Sequence, residues 1–242
     1  MTASFRCWAE INIEAMRSNL RVVRSLIPSG VRVVSIIKAD AYGHGLPEIA
    51  RRLGRDTDLF GVASLMEARA IRSTGARTPV LILGPALPDE QQSIVEEGFI
   101  PSVSAVEEAA AFAKYARTGE RVPIHLVIDT GMGRIGSSEE ETGDTFRAIR
   151  EMAQLSVTAV SSHLPVADED EHYTAQQLDR FRALVASVCP DQQPATVLNS
   201  AGVIRFGNVA KPGDLVRVGL TPAQVFLTAG AVVAGRLVNL VV

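Results

Sequence analysis

The chain has 242 residues and a formal net charge of −3, and 47% of its residues are apolar while 21% are charged. This length is enough to bury a full hydrophobic core in one large domain, with room for a fragment of a second. The weakly acidic balance and the lack of a basic cluster argue against nucleic acid as a partner.

Cysteines and histidines are too sparse to predict a metal site. Cys7 and Cys189 form no closely spaced ligand pair, and the chain has four histidines. The N-terminal residues lack the continuous apolar stretch of a secretory signal. We therefore expect a cytoplasmic protein with reduced thiols and no structural metal.

The first predicted element is a strand near the N-terminus. Phe5, Cys7, Ala9, Ile11 and Ile13 alternate with mostly polar neighbours, as in a half-buried strand. Alternation of this kind does not fit the segments that follow, so residues 1–13 are assigned to a second, β-rich domain that is mostly absent from this sequence.

A helix is predicted next, because Met16, Leu20, Val23 and Ile27 recur at helical spacing. Eight short apolar runs follow, and their continuous rather than alternating character predicts strands buried on both faces of a parallel sheet. The runs are Val31–Lys38, Leu59–Ser64, Pro79–Leu83, Phe99–Ser104, Ile124–Asp129, Ser156–His163, Thr196–Ala201 and Leu215–Leu220.

The intervals between these runs have helical signals. Ser64 with Glu67, and Ser104 with Glu107, have the spacing of capping boxes. Between the sixth and seventh runs, a further helix is predicted from residues at helical spacing. They are Leu178, Phe181, Arg182 and Val185. Glycines 54, 75, 98 and 119 lie near helix ends, where a left-handed residue often closes the helix.

Alternating strands and helices predict an α/β fold, and eight strands predict a closed (β/α)8 TIM-type barrel over residues 14–222. An open doubly wound sheet is the alternative, although no G-x-G-x-x-G follows the first strand. The final segment, 223–242, is assigned to the start of a truncated C-terminal β domain. Its apolar run Val225–Val242 is interpreted as strands rather than a membrane span, because Arg236 in a spanning helix would cost roughly 3 kcal/mol.

Loops after the strands carry the chemistry of parallel barrels. The predicted strand ends bring unusual polar residues to one rim. They are Lys38, Asp129 with Arg134 beyond it, His163, Asn199 with Ser200, and Arg217 with Gly219. Small residues after the seventh and eighth strands suit a bound phosphate group. Each of these side chains taken singly could instead be an ordinary solvated or hydrogen-bonded group.

The ordered motifs resemble those of alanine racemases over roughly residues 8 to 220. The most specific are the nonapeptide Ile37–Gly45 (IKADAYGHG) and the octapeptide Asp129–Gly136 (DTGMGRIG). Further matches are Glu10–Ile13, Ser162-His163, Asp168-Glu169, Asn199-Ser200 and Val216–Leu220.

The resemblance implies pyridoxal 5′-phosphate as cofactor and alanine as substrate, in a homodimer that supplies D-alanine for peptidoglycan. Lys38 would form the Schiff base and act as the base on one face of the substrate. Arg134 would contact the substrate carboxylate, and His163 would support the second base. The implied cofactor-binding residues are Lys38, Tyr42, Ser200, Arg217, Gly219 and Leu220. Arg217 would face the ring nitrogen and, being able only to donate, would leave it unprotonated.

Three departures from the family pattern stand out. The family's second base is a tyrosine from the partner's C-terminal domain, and none of Tyr42, Tyr115 and Tyr173 matches it. Val127 replaces a lysine that many members carry in carbamylated form to orient the arginine equivalent to Arg134. The residues after Leu220 read Thr221-Pro222-Ala223, without the family's frequent Tyr-Gly.

Three functional interpretations remain open. The chain is a truncated alanine racemase, or a barrel that binds the cofactor as a carrier or regulator without racemising, or a relative acting on another small amino acid such as serine.

Overall fold

A computed structural model describes residues 11–189 and 193–219. The strands are β1 (Arg32–Ile36), β2 (Leu59–Val62), β3 (Val80–Ile82), β4 (Ile100–Val103), β5 (Val122–Val127), β6 (Leu155–Ser161), β7 (Ala195–Thr196) and β8 (Leu215–Gly219). The helices are α1 (Ile13–Ser25), α2 (Lys38–Gly43), α3 (Leu46–Leu53), α4 (Leu65–Ser73), α5 (Gln91–Glu96), α6 (Val106–Ala113), α7 (Thr142–Glu151), α8 (Glu171–Val188) and α9 (Ser200–Phe206). A 3₁₀ turn follows at Gly207–Val209.

The strands form one parallel sheet in the order β7-β6-β5-β4-β3-β2-β1-β8. Its two ends meet at the rim, where the Arg217 N–H donates to the Leu198 carbonyl at 2.9 Å. The predicted (β/α)8 barrel is confirmed, and the open doubly wound alternative is wrong.

Both faces of the barrel wall are apolar, which explains the continuous hydrophobic runs. The inward face of the wall packs Val34, Ile36, Leu59, Ala159 and Leu215 together. The outward face joins the helices in a much larger core, in which five phenylalanines are almost fully buried. They are Phe60, Phe99, Phe112, Phe146 and Phe181. The wall is therefore rigid, and the rim loops project from a fixed frame.

Several predicted boundaries need correction. The box at Ser64 is partly right: its hydroxyl caps the Glu67 N–H, while the Glu67 carboxylate binds other amides. The box predicted at Ser104 and Glu107 is wrong, because Ala105 is the N-cap and Glu108 accepts from the Ser104 N–H.

Three more boundaries differ from expectation. Ser200 and Ala201 belong to α9 instead of extending β7, because the Asn199 side chain caps a helix there. Gly54 ends α3 in a right-handed conformation, with φ −58°, so no left-handed cap forms at that glycine. The predicted strand over residues 1–13 lies mostly outside the described residues, and its last residue, Ile13, begins α1 after the Asn12 cap.

The predicted tail strands of 223–242 also lie outside the described residues. Within the part of the chain that the structure describes, the helices are too short or too polar to cross a membrane.

Candidate active site

One cavity of about 730 Å³ opens at the carboxyl ends of the strands. Seven of the predicted site residues line it: Lys38, Tyr42, Arg134, His163, Ser200, Arg217 and Gly219. The remaining one, Leu220, lies outside the described residues. The volume is in the range of small-molecule pockets. The structure thus brings these seven residues together around one cavity.

Lys38 lies two residues after β1, at the start of an unusual turn. Ala39, Asp40, Ala41 and Tyr42 all have φ between 52° and 56°, so α2 is a single left-handed turn. Each non-glycine residue in this conformation costs roughly 1–2 kcal/mol. A run of four such residues requires strong local anchoring.

Carboxylates supply that anchoring. Glu67, at the start of α4, accepts from the Ala39 N–H and the Ala63 N–H, both at 2.7 Å. Asp40 accepts from the Leu46 N–H at 2.7 Å, which ties the turn to α3. The backbone that follows Lys38 is thus tied to α4 and to α3. These bonds fix the position of the Lys38 Cα, from which the side chain extends to the cavity.

Arg134 is carried by the loop after β5, which is built differently. The Asp129 carboxylate accepts from the N–H groups of Gly131, Met132 and Gly133 at 2.8–2.9 Å. The Tyr173 hydroxyl donates to the Gly131 carbonyl at 2.7 Å. The loop backbone is therefore ordered while the Arg134 side chain stays exposed.

Arg217 and His163 form the inner wall of the cavity. The Arg217 guanidinium donates to the Ser162 carbonyl, and it makes a long hydrogen bond of 3.5 Å to His163 Nδ1. Because an arginine can only donate, Nδ1 is the acceptor and the imidazole proton resides on Nε2. Burial and then the charges of Arg217, Arg134 and Lys38 lower the pKa of His163 to about 3. His163 is neutral at pH 7.

The same surroundings act on Arg217 itself. Burial, helped by Arg134, lowers the pKa of Arg217 to about 10. That value still leaves the guanidinium protonated at neutral pH.

Across the cavity, the Gly219 N–H donates to Ser200 Oγ at 3.0 Å, so the loops after β7 and β8 meet. Burial raises the pKa of the Tyr42 phenol, which keeps the hydroxyl protonated and able to donate. These two small groups and the phenol form a neutral, hydrogen-bonding corner.

Three cationic side chains, those of Lys38, Arg134 and Arg217, line the cavity, together with two aspartates, Asp129 and Asp168. Within residues 11–189 and 193–219, no carboxylate forms an ion pair with Lys38, Arg134 or Arg217. Val127 also lines the cavity, so β5 offers Arg134 an apolar neighbour at that position. Unpaired cations around a partly enclosed space favour an anionic ligand.

Sequence reasoning missed several residues that shape the site. Glu67 was interpreted only as a cap, and the role of Asp129 as the organiser of its loop was not predicted. Thr130, Gln177 and His125 are buried polar residues behind or beneath the cavity. The one available signal was the spacing of Asp129 before two glycines, which is typical of a carboxylate-capped loop.

A profile of the family described as "Alanine racemase, N-terminal domain" matches residues 11–222. The chain belongs to the alanine racemase family. It is similar to alanine racemase of Geobacter sulfurreducens, with 36% identity over 231 residues that cover 90% of this chain and 60% of the relative. Against alanine racemase of Methylacidiphilum infernorum the identity is 34%, covering 89% of this chain and 55% of the relative.

Solved structures agree with the sequence relatives. Alanine racemase of Clostridium difficile 630 in complex with cycloserine superposes with a TM-score of 0.85 at 27% identity, covering 93% of this chain and 64% of that one. Alanine racemase of Bacillus anthracis with bound L-Ala-P gives a TM-score of 0.78 at 27% identity, covering 90% and 58%. The chain spans about three fifths of the length of the curated alanine racemases that it matches.

Proposed function

We propose that this chain is the cofactor-binding barrel of an alanine racemase, in which Lys38 holds pyridoxal 5′-phosphate and moves the α-proton of alanine on one face. The observation that carries the proposal is the position of Lys38. Its side chain lines a cavity of about 730 Å³ together with Arg134 and Arg217, and among the described residues no carboxylate forms an ion pair with these three. The amine of Lys38 is therefore free to bond with an aldehyde.

The donor set fits this cofactor. Arg134 and Arg217 supply positive charge for a ligand that carries a phosphate and a phenolic oxygen. Tyr42 and Ser200 supply neutral hydroxyl donors, and Ser200 keeps its own proton available because its Oγ accepts from the Gly219 N–H. The phosphate would bind at these two side chains, with Gly219 and Leu220 beside them. When bound, the cofactor supplies an electron sink for the charge released at the substrate's Cα.

The protein's own residues then divide the work. Lys38 would hold the cofactor through its amine, and the same amine, once free, would remove or return the α-proton of the substrate. Arg134 would hold the substrate carboxylate, since its side chain is exposed and lines the cavity. Arg217 would lie beside the ring nitrogen, and because a guanidinium only donates hydrogen bonds, it would leave that nitrogen unprotonated.

Neutral His163 would act on the face of the substrate opposite to Lys38. Its Nδ1 is occupied by Arg217, so its Nε2–H is the group available to support a second acid or base. We place that second base on the partner subunit of a cytoplasmic homodimer that produces D-alanine for peptidoglycan.

Exchange of the α-proton with solvent deuterium tests this proposal. The 242-residue chain with pyridoxal phosphate is incubated with D- or L-alanine in D₂O, and loss of the Cα proton is followed by NMR. We expect one enantiomer, D in the family's geometry, to exchange about 10²-fold or more faster than the other, since Lys38 serves one face. Parallel incubations with serine report on substrate preference, and faster exchange of serine would favour the relative acting on another amino acid.

Variants make the test specific to Lys38. Lys38→Arg should abolish the exchange, whereas Lys114→Arg and Lys211→Arg, which alter the chain's other two lysines, should leave it unchanged. Exchange that survives in Lys38→Arg would contradict the proposal. Cofactor binding at Lys38 without any exchange would favour a carrier.

A further inference from the structure

Gln177 is a fully buried polar side chain on α8 that does not line the cavity. Its exposed fraction is 0%, and its Nε2 donates to the His163 carbonyl at 2.9 Å and to Thr130 Oγ1 at 3.3 Å. The two acceptors follow different strands: Thr130 opens the Arg134 loop after β5, and His163 follows β6. One carboxamide therefore bridges the two segments from behind.

The bridge continues toward the cavity. Thr130 Oγ1 and Ser162 Oγ are 2.7 Å apart, and both side chains are buried. The Ser162 carbonyl in turn accepts from the Arg217 guanidinium. Gln177 on α8 is thus linked to Arg217 through Thr130 and Ser162: Thr130 bonds the Ser162 hydroxyl, and Arg217 bonds the carbonyl of the same serine. A second bond from Gln177 goes to the backbone of His163.

The orientation of the Gln177 amide is forced by these partners. A carbonyl such as that of His163 needs a donor, so the NH₂ group faces it and Oε1 points away. Oε1 has no hydrogen-bond partner among the described residues. Burying an unsatisfied amide oxygen costs about 1–3 kcal/mol. An apolar residue would remove that unsatisfied oxygen but would leave the His163 carbonyl without its Gln177 donor. The glutamine therefore serves the link between the two segments, at the expense of its own Oε1.

We propose that Gln177 is a positioning residue: it holds the start of the Arg134 loop and the end of β6 in fixed register, so that Arg134, His163 and Arg217 face the cavity together. The effect of Gln177 on the reaction rests on the function proposed above. Its effect on the position of the two segments concerns the chain without ligand and is tested separately.

The first test uses Gln177→Met, which keeps the length of the side chain and removes both hydrogen bonds. Gln176→Met is the matched control, since Gln176 is the preceding residue on α8 and its exposed side chain forms a hydrogen bond to the His172 ring. Amide hydrogen exchange is measured on the cofactor-free proteins. We expect faster exchange, by about tenfold, confined to residues 130–136 and 162–164 in Gln177→Met, and no change in Gln176→Met.

The second test is made with the cofactor. Titration with pyridoxal phosphate should give a Kd about fivefold to tenfold higher for Gln177→Met than for the parent, as expected for lost hydrogen bonds. The absorbance band of the bound cofactor should also shift, because Arg217 is displaced. Gln176→Met should match the parent in both readouts.

Thr130 variants keep the proposal testable if Gln177→Met does not fold. Thr130→Val removes the relay to Ser162 but leaves the Gln177 bond to His163, so it should reproduce the spectral shift with a smaller change in exchange at residues 162–164. Thr130→Ser retains the hydroxyl and should restore the parent spectrum.

Parent-like exchange and spectra in both Gln177→Met and Thr130→Val would overturn the proposal. So would uniform acceleration of exchange across the barrel, which would show a general contribution to stability. Failure of the parent chain to bind pyridoxal phosphate would refute the proposed function, while the exchange experiment would still decide the role of Gln177.

Discussion

The two loops that bring basic side chains to the cavity are fixed in opposite ways. The turn after Lys38 has a strained, left-handed backbone, and outside groups such as Glu67 hold it in place. The loop that carries Arg134 is organised mainly from within, by Asp129 at its own base. In both cases a carboxylate is bound to backbone amides and, among the described residues, forms no ion pair with Lys38 or Arg134.

The difference matches the tasks proposed for the two side chains. Lys38 would form a covalent bond, which demands a fixed approach, and it follows a buried strand directly. Arg134 would bind a substrate that enters and leaves, and its side chain is exposed on a loop whose backbone alone is ordered. The backbone is therefore held firmly beside Lys38, the residue proposed to form the covalent bond. The exposed side chain belongs to Arg134, the residue proposed to bind substrate.

Removing the internal anchor should produce the largest effect. Asp129→Ala deletes three charge-assisted hydrogen bonds, so the free energy of unfolding should fall by about 3 kcal/mol. Hydrogen exchange at residues 131–133 should accelerate while the turn at 39–45 keeps its protection. Asp144→Ala, at an exposed carboxylate on α7, is the control. Equal acceleration in both loops would show that they are not independently fixed.

The barrel interior beneath both loops should respond to pH. Burial, with the charges of Arg217 and Arg32, lowers the pKa of His125 to about 3. In the unfolded chain this histidine has a pKa of about 6.5, so as the pH falls it binds a proton there before it does in the folded protein. Its stabilising contribution is therefore complete above about pH 6.5 and is lost as the pH falls toward 3. Between pH 7.5 and pH 5 the loss is about 2 kcal/mol.

Denaturant unfolding at the two pH values checks this expectation. His125→Gln should reduce the drop in stability between pH 7.5 and pH 5 by about 2 kcal/mol, whereas His172→Gln, on exposed α8 surface, should not. An unchanged drop in His125→Gln would mean that His125 is not held neutral by the fold.

The smallest expected effect has the opposite sign. Ala39 is exposed and has φ 52°, a conformation that glycine adopts without penalty. Ala39→Gly should therefore raise the free energy of unfolding by about 0.5–1 kcal/mol. Ala70→Gly, in the ordinary helix α4, should lower it by about 1 kcal/mol. A loss of stability in Ala39→Gly would show that the turn is not strained at this residue.

The sequence predicted the barrel because most of its strands fall within short, largely buried apolar runs. The seventh run is the exception, since β7 covers only Ala195–Thr196 and Ser200 already belongs to α9. The sequence also predicted which residues share the rim, since parallel strands end on one side. The left-handed turn could not be predicted from the sequence, because Ala39-Asp40-Ala41-Tyr42 contains no glycine to favour a run of positive φ. The conformation depends on contacts with Glu67 and α3. The cap at Ser104 was misplaced because Glu107 and Glu108 both suit the pattern.

Gln177 was missed for a related reason. It lies beside the apolar stripe residue Leu178, and a glutamine on an amphipathic helix is ordinarily assigned to the solvent side. Gln177 is buried because it bonds to the Thr130 hydroxyl and the His163 carbonyl, which follow β5 and β6. Both partners are distant in sequence, so the local pattern around Gln177 does not predict these bonds.

Covalent trapping of the cofactor is the most direct test of whether Lys38 forms the Schiff base. The 242-residue chain is saturated with pyridoxal phosphate, reduced with borohydride, digested and mapped by mass spectrometry. Since the chain has three lysines, Lys38, Lys114 and Lys211, the assignment is unambiguous. We expect a pyridoxyl group on Lys38 and none on Lys114 or Lys211. A label on either of those two, or no label at saturation, would contradict the proposed role of Lys38.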